Sequence, residues 1–209
     1  MTKQILAFSL AILLCACAGG QLKRSSVDMH AYKKVDFFAA GHSRAAFKIV
    51  GTMNDVALEG VLTVKKIGEQ DFEVSVMTAG AYRVLYATVT PQGIAYRQLF
   101  PDADTSLVRS RISQFLNLLL LPPGVYQRNR ATKEQLTVFY KGEDGSVRLM
   151  YNLPNVYPAA AKTVTMLNTA DLFYDEYAPA DAEAAVQVPH ALVYKDGKIE
   201  LSLTLISLK

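Results

Sequence analysis

The sequence predicts a mainly β protein: one curved antiparallel sheet or partial barrel of about ten or eleven strands, with a single apolar helix covering it. Three observations carry that expectation. Apolar and polar residues alternate with period two from Ala45 onward, turn residues interrupt the alternation at short intervals, and one stretch near residues 104–121 changes to helical spacing. Hairpins spread along the whole chain point to one sheet and not to two domains. With 209 residues, 51% apolar and 20% charged, the chain can bury a sizeable core, which excludes a disordered chain or a disulfide-stapled miniprotein. The 22 Lys and Arg stand against 19 Asp and Glu with no dense basic run, so nucleic acid is not indicated as a partner.

The first strand carries Phe47, Ile49, Gly51 and Met53 on one face. Asn54-Asp55 turns the chain into a second strand around residues 58–66, with Leu58, Leu62 and Val64 on one side and Glu59 and Lys65 on the other. After the turn Gly68-Glu69-Gln70-Asp71, Phe72, Val74 and Val76 oppose Glu73 and Ser75. Ala79-Gly80-Ala81 returns the chain through Tyr82, Val84, Tyr86 and Thr88, and Pro91-Gln92-Gly93 leads into residues 94–99. Val108, Ile112, Phe115, Leu116 and Leu119 then recur at helical spacing behind Asp104 as N-cap, and Pro122-Pro123-Gly124 ends the helix. Its last turn, Leu118-Leu119-Leu120-Leu121, is apolar all round and is read as buried against the sheet, with lipid contact as the alternative. Strands resume over residues 135–141 and 146–153 around Gly142-Glu143-Asp144-Gly145, then near 163–167 and 172–177. The final hairpin joins residues 191–194 through Lys195-Asp196-Gly197-Lys198 to Ile199, Leu201, Leu203 and Leu205. Residues 178–185 fit either a short helix or a loop.

The chain opens with Lys3 and an apolar run over residues 5–14, roughly half the ~20 residues that a membrane-spanning helix needs, and then small residues. That is the pattern of an export signal. Leu14-Cys15-Ala16-Cys17 resembles the bacterial lipobox, which implies a signal peptide over 1–16 and lipid on Cys17. Modifying Cys15 instead would put Leu14 where the motif takes a small residue. An ordinary secretory signal cut near Ala18 is the alternative. With Cys15 removed and Cys17 acylated, the mature domain has neither disulfide nor free thiol, which excludes redox chemistry and Cys-based metal sites. In similar lipoproteins an Asp after the lipidated Cys marks retention in the inner membrane; Ala18 here favours the outer membrane, facing the periplasm. Residues 17–44 read as lipidated N-terminus and tether, and 45–209 as a single domain.

Candidate chemistry is sparse. His30, His42 and His190 each stand without a second ligand at metal spacing. No Gly-x-Ser-x-Gly elbow, phosphate loop or dinucleotide fingerprint occurs. The carboxylate pairs Asp102/Asp104, Glu143/Asp144 and Asp175/Glu176 sit at turn or edge positions, where capping and solvation account for them. Eleven Tyr and nine Phe invite sugar or nucleic-acid stacking, but strands are rich in aromatic residues for their own reasons. Arg83, Arg97, Arg109, Arg111, Arg128 and Arg130 are scattered over several elements. No catalytic residue, metal or cofactor is expected, and the chain reads as a non-enzyme.

Ala57-Leu58-Glu59-Gly60-Val61-Leu62-Thr63-Val64, followed by Phe72-Glu73-Val74-Ser75-Val76 and a small-residue turn, resembles the Lol lipoprotein-localisation proteins, a periplasmic carrier and its lipid-anchored outer-membrane receptor. Residues 82–96 also resemble outer-membrane lipoproteins ascribed to that fold. The resemblance implies an unclosed barrel whose apolar cavity takes acyl chains, and a protruding loop with an exposed Leu. The matching turn here, Thr78-Ala79-Gly80-Ala81, has no Leu. On this reading Phe47, Leu62, Val64, Phe72, Val74, Val76, Val84 and Tyr86 form the cavity wall, and Ile112, Phe115 and Leu119 belong to the helix that covers it. Burying one acyl CH2 contributes roughly 0.8 kcal/mol, so a long chain needs no polar recognition. The partners implied are the outer membrane through Cys17, an acyl chain or lipoprotein cargo, and an envelope protein. The other reading of the same residues is a filled core in an accessory subunit of an envelope complex.

Overall fold

The computed structural model describes residues 28–53, 56–101, 104–142, 145–165, 168–180, 185–197 and 199–209. The expected signal peptide, Cys17 and the first part of the tether lie outside them, as do the turn residues Asn54, Asp55, Asp102, Glu143, Asp144 and Lys198. Among the described residues twelve strands form one antiparallel sheet. In chain order they are β1 (Arg44–Met53), β2 (Val56–Lys66), β3 (Phe72–Thr78), β4 (Arg83–Thr90) and β5 (Gly93–Leu99), then α1 (Ser106–Leu120). After the helix come β6 (Val125–Ala131), β7 (Gln135–Lys141), β8 (Gly145–Asn152), β9 (Ala160–Thr165), β10 (Thr169–Pro179), β11 (Gln187–Asp196) and β12 (Ile199–Leu208).

The spatial order is β5-β4-β3-β2-β1-β12-β11-β10-β9-β8-β7-β6. Each half of the chain is therefore a meander of hairpins, and the two are joined where β1 pairs with β12. β5 and β6 end up as the two edges, so the sheet curls without closing, and α1 is the connection between those edges. Register keeps one face apolar across strands. Phe47 pairs with Leu62 on one side and Leu205 on the other, Leu62 with Val76, and Val64 with Val74. In the second meander Leu136 pairs with Tyr151, Val138 with Leu149, and Leu192 with Leu203.

Several sequence expectations change. β6 was not anticipated; it is an edge strand with Val125 73% exposed, so it lacks the apolar alternation of a strand with two neighbours. Its start depends on Gly124, which has φ +98° and where a Cβ would lie 2.3 Å from the Lys141 carbonyl oxygen. The helix N-cap is Thr105, whose hydroxyl accepts from Val108 N–H at 3.2 Å, while Asp104 pairs with Arg109. Residues 178 and 179 belong to β10, and 181–184 lie outside the described residues. The apolar end of α1 packs on the sheet: Leu116 and Leu119 are buried, and Leu118, Leu120 and Leu121 lie against the core.

The packed body also begins before residue 45. Phe37 and Phe38 are buried in the core, with Tyr32 and Val35 against it, although residues 17–44 read as tether. This segment has no strand or helix periodicity. Its backbone is held by single bonds to remote strands and loops, Lys33 N–H to Val156 O at 2.8 Å and Ser43 N–H to Lys209 O at 2.6 Å.

Candidate functional site

The concave face and its two covers make the candidate site. Strand alternation points Phe47, Leu62, Val64, Phe72, Val74 and Val76 into it, and all six are buried. Tyr86 does not belong to that wall, and Val84 packs against the core only as a half-buried residue. A register shift after Val76 sets Met77 opposite Arg83 and Leu85 opposite Val76, which leaves Val84 as the extra residue. Beyond that bulge Leu85, Ala87 and Val89 face inward, and Tyr86 lies on the other face of the sheet. There its hydroxyl donates to Glu73 Oε1 at 3.1 Å, and the guanidinium groups of Arg83 and Arg97 sit 5.0 and 5.4 Å from its ring centre. The second meander contributes as much wall as the first, through Leu136, Val138, Leu149, Tyr151, Leu172 and Leu203. The alternation of residues 135–141, 146–153 and 199–205 carried the signal for most of these.

Register locates the covers at opposite ends. α1 is tied near the ends of the β9–β10 and β11–β12 hairpins, where Asn168 and Asp196 lie. The segment 28–43 lies at the other end, beside the starts of β1 and β3.

Ile112, Phe115 and Leu119 of α1 all face the sheet, Ile112 half-buried and the other two buried. Phe115 packs edge-on against Tyr194 with ring centres 5.0 Å apart. A polar chain runs beside that contact. The Asp196 side chain is fully buried and accepts from Asn168 Nδ2 and, at 3.2 Å, from the Tyr194 hydroxyl, with Arg111 Nε 4.0 Å away. Asn168 Nδ2 also reaches Gln114 Oε1 at 3.4 Å, and Gln114 Nε2 reaches Thr165 Oγ1 at 3.4 Å. Toward β5, the Tyr96 hydroxyl donates to the Arg109 carbonyl oxygen at 2.8 Å and lies 2.9 Å from Ser113 Oγ. Burial, with the Asp196 carboxylate beside it, holds the Tyr194 phenol far above its ordinary range. Burial likewise raises Tyr151 on β8 and Tyr174 on β10.

The other cover is aromatic. Phe37 meets Phe47 at 5.1 Å, Phe38 meets Phe72 at 5.4 Å, and Tyr32 meets Tyr151 at 5.1 Å. The Tyr151 hydroxyl donates to the Lys33 carbonyl oxygen at 3.1 Å. The arrangement offers dry apolar surface and neutral phenols. Among the described residues no three His, Cys, Asp or Glu group together to hold a metal. His30 lies in the exposed turn that starts the aromatic cover, and His42 and His190 are half-buried.

No protein-family model matches the sequence, and no curated protein matches it. Solved structures do. The chain is similar to a LolA superfamily protein from Nitrosomonas europaea, with a TM-score of 0.55 and 14% identity over 82% of this chain and 87% of that one. It is also similar, with TM-scores of 0.47 and 0.48 and 8% identity in both cases, to an outer membrane lipoprotein-sorting protein domain from Vibrio parahaemolyticus and a DUF1329 family protein from Desulfovibrio piger. The first of these covers 81% of this chain and 85% of its own, the second 80% and 85%. The unclosed antiparallel sheet under one helix is thus a LolA-like fold, shared at a sequence distance that speaks for architecture alone.

Proposed function

We propose that this protein is a non-enzymatic lipoprotein, anchored through Cys17 in the outer membrane and facing the periplasm, that takes an acyl chain or similar amphiphile between its concave face and the covers, in lipoprotein or lipid trafficking. One observation carries the reading: the concave face is apolar along both meanders, yet the sheet is not closed, and α1 lies in the connection between its edges. A closed, self-filled barrel has no use for such a seam. Here an acyl chain can replace the apolar contacts of a cover at about 0.8 kcal/mol per CH2 buried. The likeness to a LolA superfamily structure supports the same reading.

A second reading has its own support. Phe37 and Phe38 already pack on Phe47 and Phe72, as they would in a permanently filled core belonging to an accessory subunit of an envelope complex. Native mass spectrometry of the full chain with Cys17→Ser, so that its own anchor adds no acyl mass, separates the two. The carrier reading expects a stoichiometric acyl-bearing adduct, on purification or after adding fatty acid or lipopeptide. A mass that stays bare under both conditions would favour the filled core. Leu85→Trp adds a second readout: across a cavity it blocks the adduct and leaves the fold intact, whereas in a packed core it destabilises by about 1–3 kcal/mol.

A further inference from the structure

A second concavity lies outside the apolar interior. It measures about 450 Å3 and opens where the loop between β8 and β9 meets the ends of β10 and β11. That volume is in the range of small-molecule sites, and apart from Tyr174, which it shares with the core, its lining differs from that of the concave face. Tyr157 and Tyr177 line it together with Asn152, Asn155, Asp175 and Gln187. No Lys, Arg or His is among the lining residues, so an anionic ligand would find no countercharge.

The two rings are fixed before any ligand arrives. Their centres are 5.2 Å apart at an interplanar angle of 32°. Both hydroxyls are engaged by main chain: Tyr157 accepts from Gln187 N–H at 3.0 Å, and Tyr177 donates to the Pro158 carbonyl oxygen at 2.7 Å. The phenols are thus held by the scaffold, and the paired, half-buried rings cost little to order on binding. β10 is distorted beside them without losing register. Asp175 pairs with Ala191 and Tyr177 with Pro189, and between them Glu176, opposite His190, drops out of the ladder at φ +54°, a conformation that a residue other than glycine rarely adopts. The Asp175 carboxylate accepts the Glu176 N–H at 2.8 Å at that point and still lines the cleft. Asn152, Asn155 and Gln187 are exposed around it.

We propose that this cleft binds the pyranose ring of an uncharged oligosaccharide. A sugar ring has an apolar C–H face that suits the half-exposed surface of a tyrosine ring and a rim of hydroxyls that suits planar amides and a carboxylate, each able to meet neighbouring hydroxyls. An acyl chain would leave those amides and the carboxylate without partners, and a phosphate-bearing ligand would meet Asp175 with nothing to offset it. The cleft touches the interior at Tyr174, but Asn152, Asn155, Asp175 and Gln187, the groups that would meet the hydroxyls, are exposed outside it, so the proposal does not rest on whether that interior carries lipid.

The test uses the full chain with Cys17→Ser, isotope-labelled, titrated with chitotetraose, cellotetraose and maltotetraose to about 10 mM, roughly ten times a millimolar dissociation constant. At least one of the three is expected to bind saturably and to shift the side-chain amide signals of Asn152, Asn155 and Gln187. Asn155→Ala and Gln187→Ala remove exposed side chains and should each weaken binding about tenfold with the melting temperature unchanged. Silence from all three sugars would overturn the proposal. So would shifts confined to the concave face, or undiminished binding by the double variant.

Discussion

The two covers of the concave face are held by different forces. The segment 28–43 is fixed by rings, Phe37 on Phe47, Phe38 on Phe72 and Tyr32 on Tyr151, with few hydrogen bonds along its length. The helix α1 combines a buried stripe, Phe115, Leu116 and Leu119, with a row of side-chain hydrogen bonds to β5, Asn168 in the β9–β10 turn and β11. The burial that ring packing brings scales with the area removed from water, whereas a hydrogen bond exchanged with water is worth only about 1 kcal/mol net. Substitutions should therefore do most damage in the cover that looks least regular.

The largest effect is expected at Phe37. Truncation by Phe37→Ala removes a ring 2% exposed and opens a cavity against Phe47, at a cost of about 3–5 kcal/mol in urea unfolding. A loss below about 1 kcal/mol would return residues 28–44 to the status of a tether and reverse the comparison. Next comes Asp196 on the helix side. Asp196→Ala takes the shorter of two acceptors from both the Tyr194 hydroxyl and the Asn168 amide and removes the buried carboxylate 4.0 Å from Arg111, at about 2–3 kcal/mol. Asn in place of Asp keeps the shape and one acceptor, and should recover part of that loss.

The same contrast explains what could be read from sequence. The first meander was legible because each strand there, up to the end of β3, alternates cleanly between a buried and a wet face. β4 was read out of phase: Tyr86 looks like a core aromatic, but the bulge at Val84 adds one residue and turns that ring outward between Arg83 and Arg97. β6 was missed because an edge strand whose residues are mostly exposed has no apolar period to read. The aromatic cover was missed for a related reason. Phe37 and Phe38 are adjacent, which fits neither a strand nor a helix face, and both are buried because the segment runs across the end of the sheet rather than along it. Helical spacing alone placed Ile112, Phe115 and Leu119 correctly, whereas the polar ties of α1 to Tyr96, Asn168 and Asp196 span long stretches of sequence and leave no local pattern.

A smaller effect tests the helix cover toward β5. Tyr96→Phe keeps the ring and deletes only the hydroxyl that donates to the Arg109 carbonyl oxygen and lies against Ser113, so about 1 kcal/mol is expected. Hydrogen exchange can locate the change. Amides of α1 should open more readily in the variant while those of β1 and β12 do not respond, because the bond ties the helix and not the sheet.

The smallest effect is set by pH and belongs to the start of α1. Asp104 is hydrogen-bonded by Arg109 Nη2 at 2.9 Å, and that guanidinium holds its carboxyl below the ordinary carboxylate range. A carboxyl lowered on folding binds fewer protons in the native state than in the unfolded one. Its contribution is therefore present above the unfolded value near 4 and is lost as pH falls through the lower folded value. The group is exposed, and solvent and salt screen the pair, so the contribution is small. Melting temperatures of the wild type and Asp104→Asn, compared from pH 6 down to about 2.5, should differ slightly at neutral pH and converge in acid. A gap that widened on acidification would mean that the aspartate opposes the fold rather than anchoring the helix, and would leave the start of α1 to the Thr105 cap.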